Sequence, residues 1–137
     1  MPRARVLVID EDLPPRLATS VRECGREAQT IAYLGLRGLT DPELLEALAT
    51  VGLADWMLVT GNDGMPAEHA DVIDRLRPTI ATIDPRRPAD LSEIHWRSDV
   101  VQRWAHAMQE QEIGTARRYS LYRSVPWTPR MRHRRFL

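Results

Sequence analysis

Three carboxylate side chains stand together at Asp10, Glu11 and Asp12, immediately after the apolar run Val6-Leu7-Val8-Ile9. Like charges packed this closely repel one another unless a cation or a buried basic partner offsets them. Acids recur at Asp41 with Glu43, at Asp63 beside Asn62, and at Asp84, each where an apolar segment ends or a helix should begin. Hard divalent cations take oxygen ligands of this kind, often from a few carboxylates completed by water and substrate phosphate. A cation so held polarises a phosphoryl oxygen and activates a water for in-line attack. The expected chemistry is Mg²⁺- or Mn²⁺-assisted hydrolysis, with Asp10 to Asp12, Asp41, Glu43, Asp63 and Asp84 as the candidate ligands.

Each acid also has a local explanation. Asp10 at a strand end can accept backbone N–H bonds from the helix that follows, and Asp12 can cap that helix before Pro14. Asp41 and Glu43 are accounted for by capping. Asp63 lies in an Asn-Asp-Gly turn, where such residues are favoured for turn geometry. Their common placement at strand ends and helix starts, not any single residue, carries the metal expectation.

A second group of chemical interest lies at the far end. Arg117, Arg118, Arg123, Arg130, Arg132, Arg134 and Arg135 alternate with Tyr119, Tyr122, Trp127 and Phe136. Arginine neutralises phosphate and aromatic rings stack on unpaired bases, a pairing used on single-stranded RNA. The formal charge of zero conceals this asymmetry: residues 1–112 carry all 19 acids and 12 arginines, and residues 113–137 carry seven arginines and no acid. The same charges also suit a solvated extension, an acidic partner segment or a second subunit, as in a homodimer. The chain has no lysine, which removes any mechanism built on a lysine amine.

The elements that must position these groups alternate strand and helix. Val6–Ile9 predicts a strand buried on both faces. Pro14-Pro15 opens a helix whose apolar face is Leu17, Val21 and Cys24, closed by Gly25. Residues 27–31 are a weaker strand, and Leu34 to Leu39 a glycine-rich loop. Thr40 with Glu43 forms a capping box for a helix with Leu44, Leu45, Leu48 and Val51 on its apolar face. Trp56–Thr60 is a third strand, residues 66–76 one helix, and Thr79–Ile83 a fourth strand ending at Asp84. A helix from Ser92 places Trp96 and Trp104 on one face, with Ile94, Val100, Val101 and Met108. From Gly114 onward the pattern shows no clear period. Strands alternating with helices imply a parallel sheet with right-handed crossovers.

One cysteine, no apolar run near the roughly 20 residues of a membrane span, and a first strand too early to leave room for a signal peptide predict a soluble cytoplasmic protein. His69, His95, His106 and His133 lack paired ligand spacing and are expected to be ordinary polar residues.

The segments Asp10 to Pro15, Leu34-Gly35-Leu36-Arg37-Gly38-Leu39-Thr40-Asp41-Pro42-Glu43, and Leu58-Val59-Thr60 before an acidic turn resemble the PIN-like family related to VapC-type toxins. The resemblance covers roughly residues 4 to 84. It implies a three-layer α/β/α PIN-like domain over residues 1–90, with a small parallel sheet. A C-terminal helix and an arginine-rich tail over 91–137 extend the same structural unit. It further implies a metal-dependent endoribonuclease acting on RNA, the toxin of a toxin–antitoxin pair, neutralised by an antitoxin protein. On this resemblance Asp10 is the first Mg²⁺ or Mn²⁺ ligand, Asp41 the acid at the start of the second helix, and Thr60 the hydroxyl that orients the third acid. Arg37 joins Arg117, Arg118, Arg123, Arg130 and Arg132 as a contact for RNA or partner.

The chain departs from the family at Thr60-Gly61-Asn62-Asp63-Gly64-Met65, where the family reads Thr-x-Asp-x-Asp-Phe; Asp63 fills the third place only after a one-residue shift. That departure leaves open a PIN-like binding or regulatory module without cleavage. A receiver-like domain is a further alternative. It is disfavoured by the missing lysine and by Asn62 at the phosphoacceptor position.

Overall fold

The computed structural model describes residues 5–50, 56–89 and 91–129, without the side chains of Glu93 and Ile94. In chain order these form β1 (Val6–Ile9), α1 (Arg16–Glu23), β2 (Ala28–Thr30), α2 (Asp41–Thr50), β3 (Trp56–Thr60) and α3 (Met65–Glu68). There follow α4 (Ala70–Leu76), β4 (Ile80–Ile83), α5 (Glu93–Gln109), β5 (Ala116–Tyr119) and β6 (Ser124–Pro126).

The strands make one sheet in the order β2-β1-β3-β4-β5-β6, parallel from β2 to β5 and closed by an antiparallel β6. From β1 the chain passes through α1 to β2 on one side, then through α2 back across to β3 on the other. This reversal opens a crevice at the carboxyl ends of β1 and β3, where doubly wound sheets bind their ligands. Strand register extends to the first acid, because Asp10 N–H donates to the Val59 carbonyl at 3.0 Å.

Alternation along the strands divides the apolar residues between two cores. Leu7, Ile9, Met57, Val59, Ala81 and Ile83 meet Leu17, Ala18 and Val21 of α1 and Trp96, Val100, Val101 and Met108 of α5. On the opposite face Val8, Leu58 and Ile80 meet Leu44, Leu45 and Leu48 of α2 and Met65 of α3, with Val72, Ile73 and Leu76 of α4 behind them. Helices thus cover both faces of the sheet in an α/β fold. Each fully buried Leu, Ile or Val contributes about 1.5–3 kcal/mol, so these two layers hold the strand ends in place.

Several elements differ from the sequence expectation. The single helix expected over 66–76 is broken at His69, whose backbone (φ −126°, ψ 39°) leaves the helical region between α3 and α4. Cys24, expected on the apolar face of α1, is exposed: the helix ends at Glu23, so the period no longer governs where its side chain points. The segment after Gly114 contributes two strands. Tyr119 is buried, its hydroxyl donating to Gln111 Oε1 at 2.8 Å, and Trp104 Nε1 donates to the Ser120 carbonyl. Val51 lies outside the described residues. Among the described residues no helix is long and apolar enough to cross a membrane.

Candidate functional site

The crevice between β1 and β3 brings Asp10, Asp12 and Thr60 together. Asp10 Oδ1 accepts the Glu11 N–H at 2.8 Å, and Asp10 Oδ2 accepts the Thr60 hydroxyl at 2.7 Å. The Thr60 oxygen in turn accepts the Asn62 N–H at 3.0 Å, which commits its proton to Asp10. Thr60 was expected to orient the third acid; the structure gives it the first. Asp12 Oδ1 accepts the Gly61 N–H at 3.1 Å, while its Oδ2 stands 3.5 Å from the Thr60 hydroxyl. Asp12 is therefore part of the crevice and not the helix cap expected of it: α1 starts after Pro15 with no side-chain cap.

Electrostatics marks the same place. Burial pushes the Asp10 carboxyl up from 3.8 to about 6, against the Thr60 and Glu11 hydrogen bonds, with the charges of Asp12 and Asp41 adding to the rise. Asp12 sits on an exposed residue, yet its carboxylate turns inward. That desolvation raises its pKa, opposed by the Gly61 N–H and by the positive charge of Arg97.

Asp41, the first residue of α2, faces the break between α3 and α4. His69 Nε2 lies 3.3 Å from Asp41 Oδ2, and one ligand atom from each of Asp41, Glu68 and His69 falls within 4.8 Å of the others. Asn62 joins this group to the β3 turn, its Nδ2 donating to Glu68 Oε1 at 2.8 Å. His69 and Glu68 were not expected here, since the pairing depends on how α2 packs against the helix break. Glu43 is exposed and completes the capping box: the Thr40 N–H donates to Glu43 Oε1 at 2.9 Å, and the Glu43 N–H to Thr40 Oγ1 at 3.3 Å.

Two expected ligands are engaged elsewhere, and their assignment is revised. Both oxygens of Asp63 are held by Arg118, with Nε to Oδ1 at 2.7 Å and Nη2 to Oδ2 at 2.9 Å, and Oδ1 also accepts the Thr82 hydroxyl at 2.9 Å. Asp84 is buried, and both its oxygens receive the Arg86 guanidinium, at 3.1 and 2.8 Å. The expectation for Arg118 as an RNA contact changes for the same reason. Arg117 is likewise engaged within the sheet, donating to Ser124 through Nε at 2.9 Å and Nη2 at 3.1 Å. Arg123 is exposed; Arg130, Arg132, His133, Arg134, Arg135 and Phe136 lie outside the described residues. Arg37 is largely in solvent, its Nε 3.8 Å from Glu11 Oε2, while Glu11 Oε1 accepts the Gly38 N–H at 3.2 Å and ties this loop to the end of β1.

The donors that remain are carboxylate oxygens, the ligand type hard divalent cations take. Each carboxylate oxygen has two lone pairs, so Asp10 keeps acceptor capacity after its two hydrogen bonds and Asp12 Oδ2 is nearly free. A cleft of about 90 Å³ opens beside Asp10, lined by Glu11, Leu13, Thr30, Ile31 and Arg37. That volume admits an ion and water but falls well below the roughly 300 Å³ of a pocket for an organic ligand.

Gly61 has to be glycine for Asp12 to sit as it does. A Cβ there would stand 2.9 Å from Asp12 Oδ2 and 3.2 Å from Arg97 Nη1. Gly61→Ala is expected to lower stability by only about 1 kcal/mol, because a carboxylate can swing aside. Its larger effect is on Mn²⁺ affinity, expected to fall at least about tenfold by calorimetric titration; unchanged affinity would remove Asp12 from the ion's surroundings. Compared with protein-family models, curated proteins and solved structures, the chain matches none.

Proposed function

We propose that the chain is a PIN-like, metal-dependent endoribonuclease and the toxin of a toxin–antitoxin pair. The observation that carries this reading is the meeting of Asp10, Asp12 and Thr60 at the switch point, with Asp41 close enough for its charge to act on Asp10. Asp10 and Asp12, with Asp41 acting through its nearby charge, would hold Mg²⁺ or Mn²⁺, which when bound supplies Lewis-acid polarisation of a phosphoryl oxygen and a water of lowered pKa. The remaining work belongs to the chain. Thr60 fixes Asp10 in one orientation by giving it the hydroxyl proton, and the Gly61 N–H fixes Asp12. His69 faces Asp41 and restrains it, and Asn62 holds Glu68 beside them. Arg37 and Arg123 offer exposed cations to the RNA backbone, and an open crevice suits an extended strand better than a small enclosed ligand. The family resemblance implies cleavage to 5′-phosphate and 3′-hydroxyl ends.

The test uses purified protein, Mn²⁺ and an unstructured single-stranded RNA. Wild type is expected to cut it; EDTA or Asp10→Asn should lower the rate at least about a hundredfold. Induced expression should then arrest growth with wild type and not with Asp10→Asn. One observation favours a second reading, the module that binds without cleaving: with Asp63 held by Arg118, the crevice has one acid fewer than the family pattern. RNA retained intact by wild type in Mn²⁺ would support that reading over the first.

A further inference from the structure

We propose that Arg97 forms a subsite for a backbone phosphate of the RNA at the rim of the acidic crevice. Arg97 lies near the start of α5, between the buried Trp96 and Val100, so its backbone is fixed by the core. Its guanidinium carbon sits 5.2 Å from the centre of the Trp96 ring. Nη1 reaches to 3.2 Å from the point a Gly61 Cβ would occupy, and Asp12 Oδ2 borders that same point.

The guanidinium is left incomplete there. Its Nε is buried without a hydrogen-bond partner, and Asp12 feels Arg97 only through space, as a charge that lowers its pKa. Other arginines of this sheet edge are different: the exposed Arg86 and the buried Arg118 each grip a carboxylate with two donors, and Arg117 grips Ser124. Nε has no surface that a ligand could reach, so it is the Nη edge turned toward Gly61, without a hydrogen bond to the described residues, that is open to a phosphate. Its oxygens match the planar fork of arginine, which binds phosphate in two-point fashion. A small free anion would be repelled by Asp10, Asp12 and Asp41. A phosphate belonging to a strand already held by Arg37 or Arg123 arrives tethered, and the nearby negative charge then weighs less against it.

The identity of the ligand rests on the nuclease reading, and the experiment separates the two. Binding of a short fluorescent unstructured RNA is followed by anisotropy in EDTA, so that nothing is cut, over a series of salt concentrations. Arg97→Gln is expected to weaken binding about tenfold across sequences and to reduce the salt slope by about one. Arg97→Lys should keep the slope and recover only part of the affinity, since it restores the charge without the fork. A thermal melt within a few degrees of wild type establishes that each variant is folded. Equal affinity and slope in wild type and Arg97→Gln overturns the subsite, even where wild type cuts RNA in Mn²⁺. Arg97-dependent binding by a protein that leaves RNA intact in Mn²⁺ upholds the subsite and removes the nuclease reading.

Discussion

Alanine at Arg118 is expected to lower the stability of the fold by about 3–5 kcal/mol, a large part of the 5–15 kcal/mol typical of a whole domain. Arg118 lies on β5, and its side chain and that of Asp63 are only 9% and 10% exposed. Beyond its two bonds to Asp63, Arg118 Nη2 donates to the Thr128 carbonyl at 2.8 Å and its guanidinium carbon lies 5.5 Å from the centre of the Trp127 ring. Trp127 Nε1 donates back to the Asp63 carbonyl at 2.9 Å. The network fastens the turn after β3 to the last two strands. Removing either charge leaves the other buried and uncompensated, which is the main source of the loss. The double variant Asp63→Ala/Arg118→Ala should therefore lose less than the sum of the singles, with a coupling of about 2 kcal/mol in urea unfolding.

The sign of the Asp63 effect also decides its role. As half of an ion pair, Asp63→Ala destabilises the metal-free protein. As a metal ligand among like charges, it would stabilise it by relieving repulsion. A stabilised Asp63→Ala in EDTA would restore Asp63 to the metal set.

The contrast between Asp10 and Asp63 shows what was legible in the sequence. Asp10 follows four consecutive apolar residues, and that local pattern fixes a strand, its end and hence the mouth of the sheet. Thr60 was readable in the same way at the end of β3, and the Thr40–Glu43 box is contained within four residues. Asp63 looked equivalent because it, too, follows a strand, but its partner is 55 residues away. Ala116-Arg117-Arg118-Tyr119 has no alternating apolar pattern; it joins the sheet by pairing with β4 and β6 and burying Tyr119, while its arginines bond Asp63 and Ser124. Charges in an otherwise polar stretch read as solvated until their partners are known. His69 and Arg97 were hidden differently. A helical period drawn through residues 66–76 conceals the break that turns His69 toward Asp41. The place of Arg97 beside Gly61 depends on α5 crossing the sheet, which no local spacing encodes.

At neutral pH, Asp10→Asn is expected to stabilise the metal-free protein by about 1–2 kcal/mol. The Asp10 pKa rises from 3.8 to about 6 on folding, and each unit is worth about 1.4 kcal/mol, reduced here because the carboxylate keeps some contact with solvent. The sign follows from proton counts. Between pH 3.8 and about 6 the folded protein binds more protons at Asp10 than the unfolded chain does, so stability falls as pH rises through that window. Above it both states are ionised and the full penalty persists; below it both are protonated and the penalty vanishes. Asparagine mimics the protonated acid in shape and charge, and Thr60 can accept from the new amide while turning its proton toward Asp12. The difference in melting temperature between variant and wild type should thus be greatest at neutral pH and close toward pH 3.5 or so. Mn²⁺ should reverse the order. At about a hundred times its dissociation constant a ligand adds about 2.7 kcal/mol to the state that binds it, a rise of roughly 9 °C for a domain of this size. Wild type should gain this and Asp10→Asn should not. Parallel melting curves for the two proteins across pH and Mn²⁺ would mean that the crevice imposes no charge strain on Asp10 and offers no cation a place to relieve it.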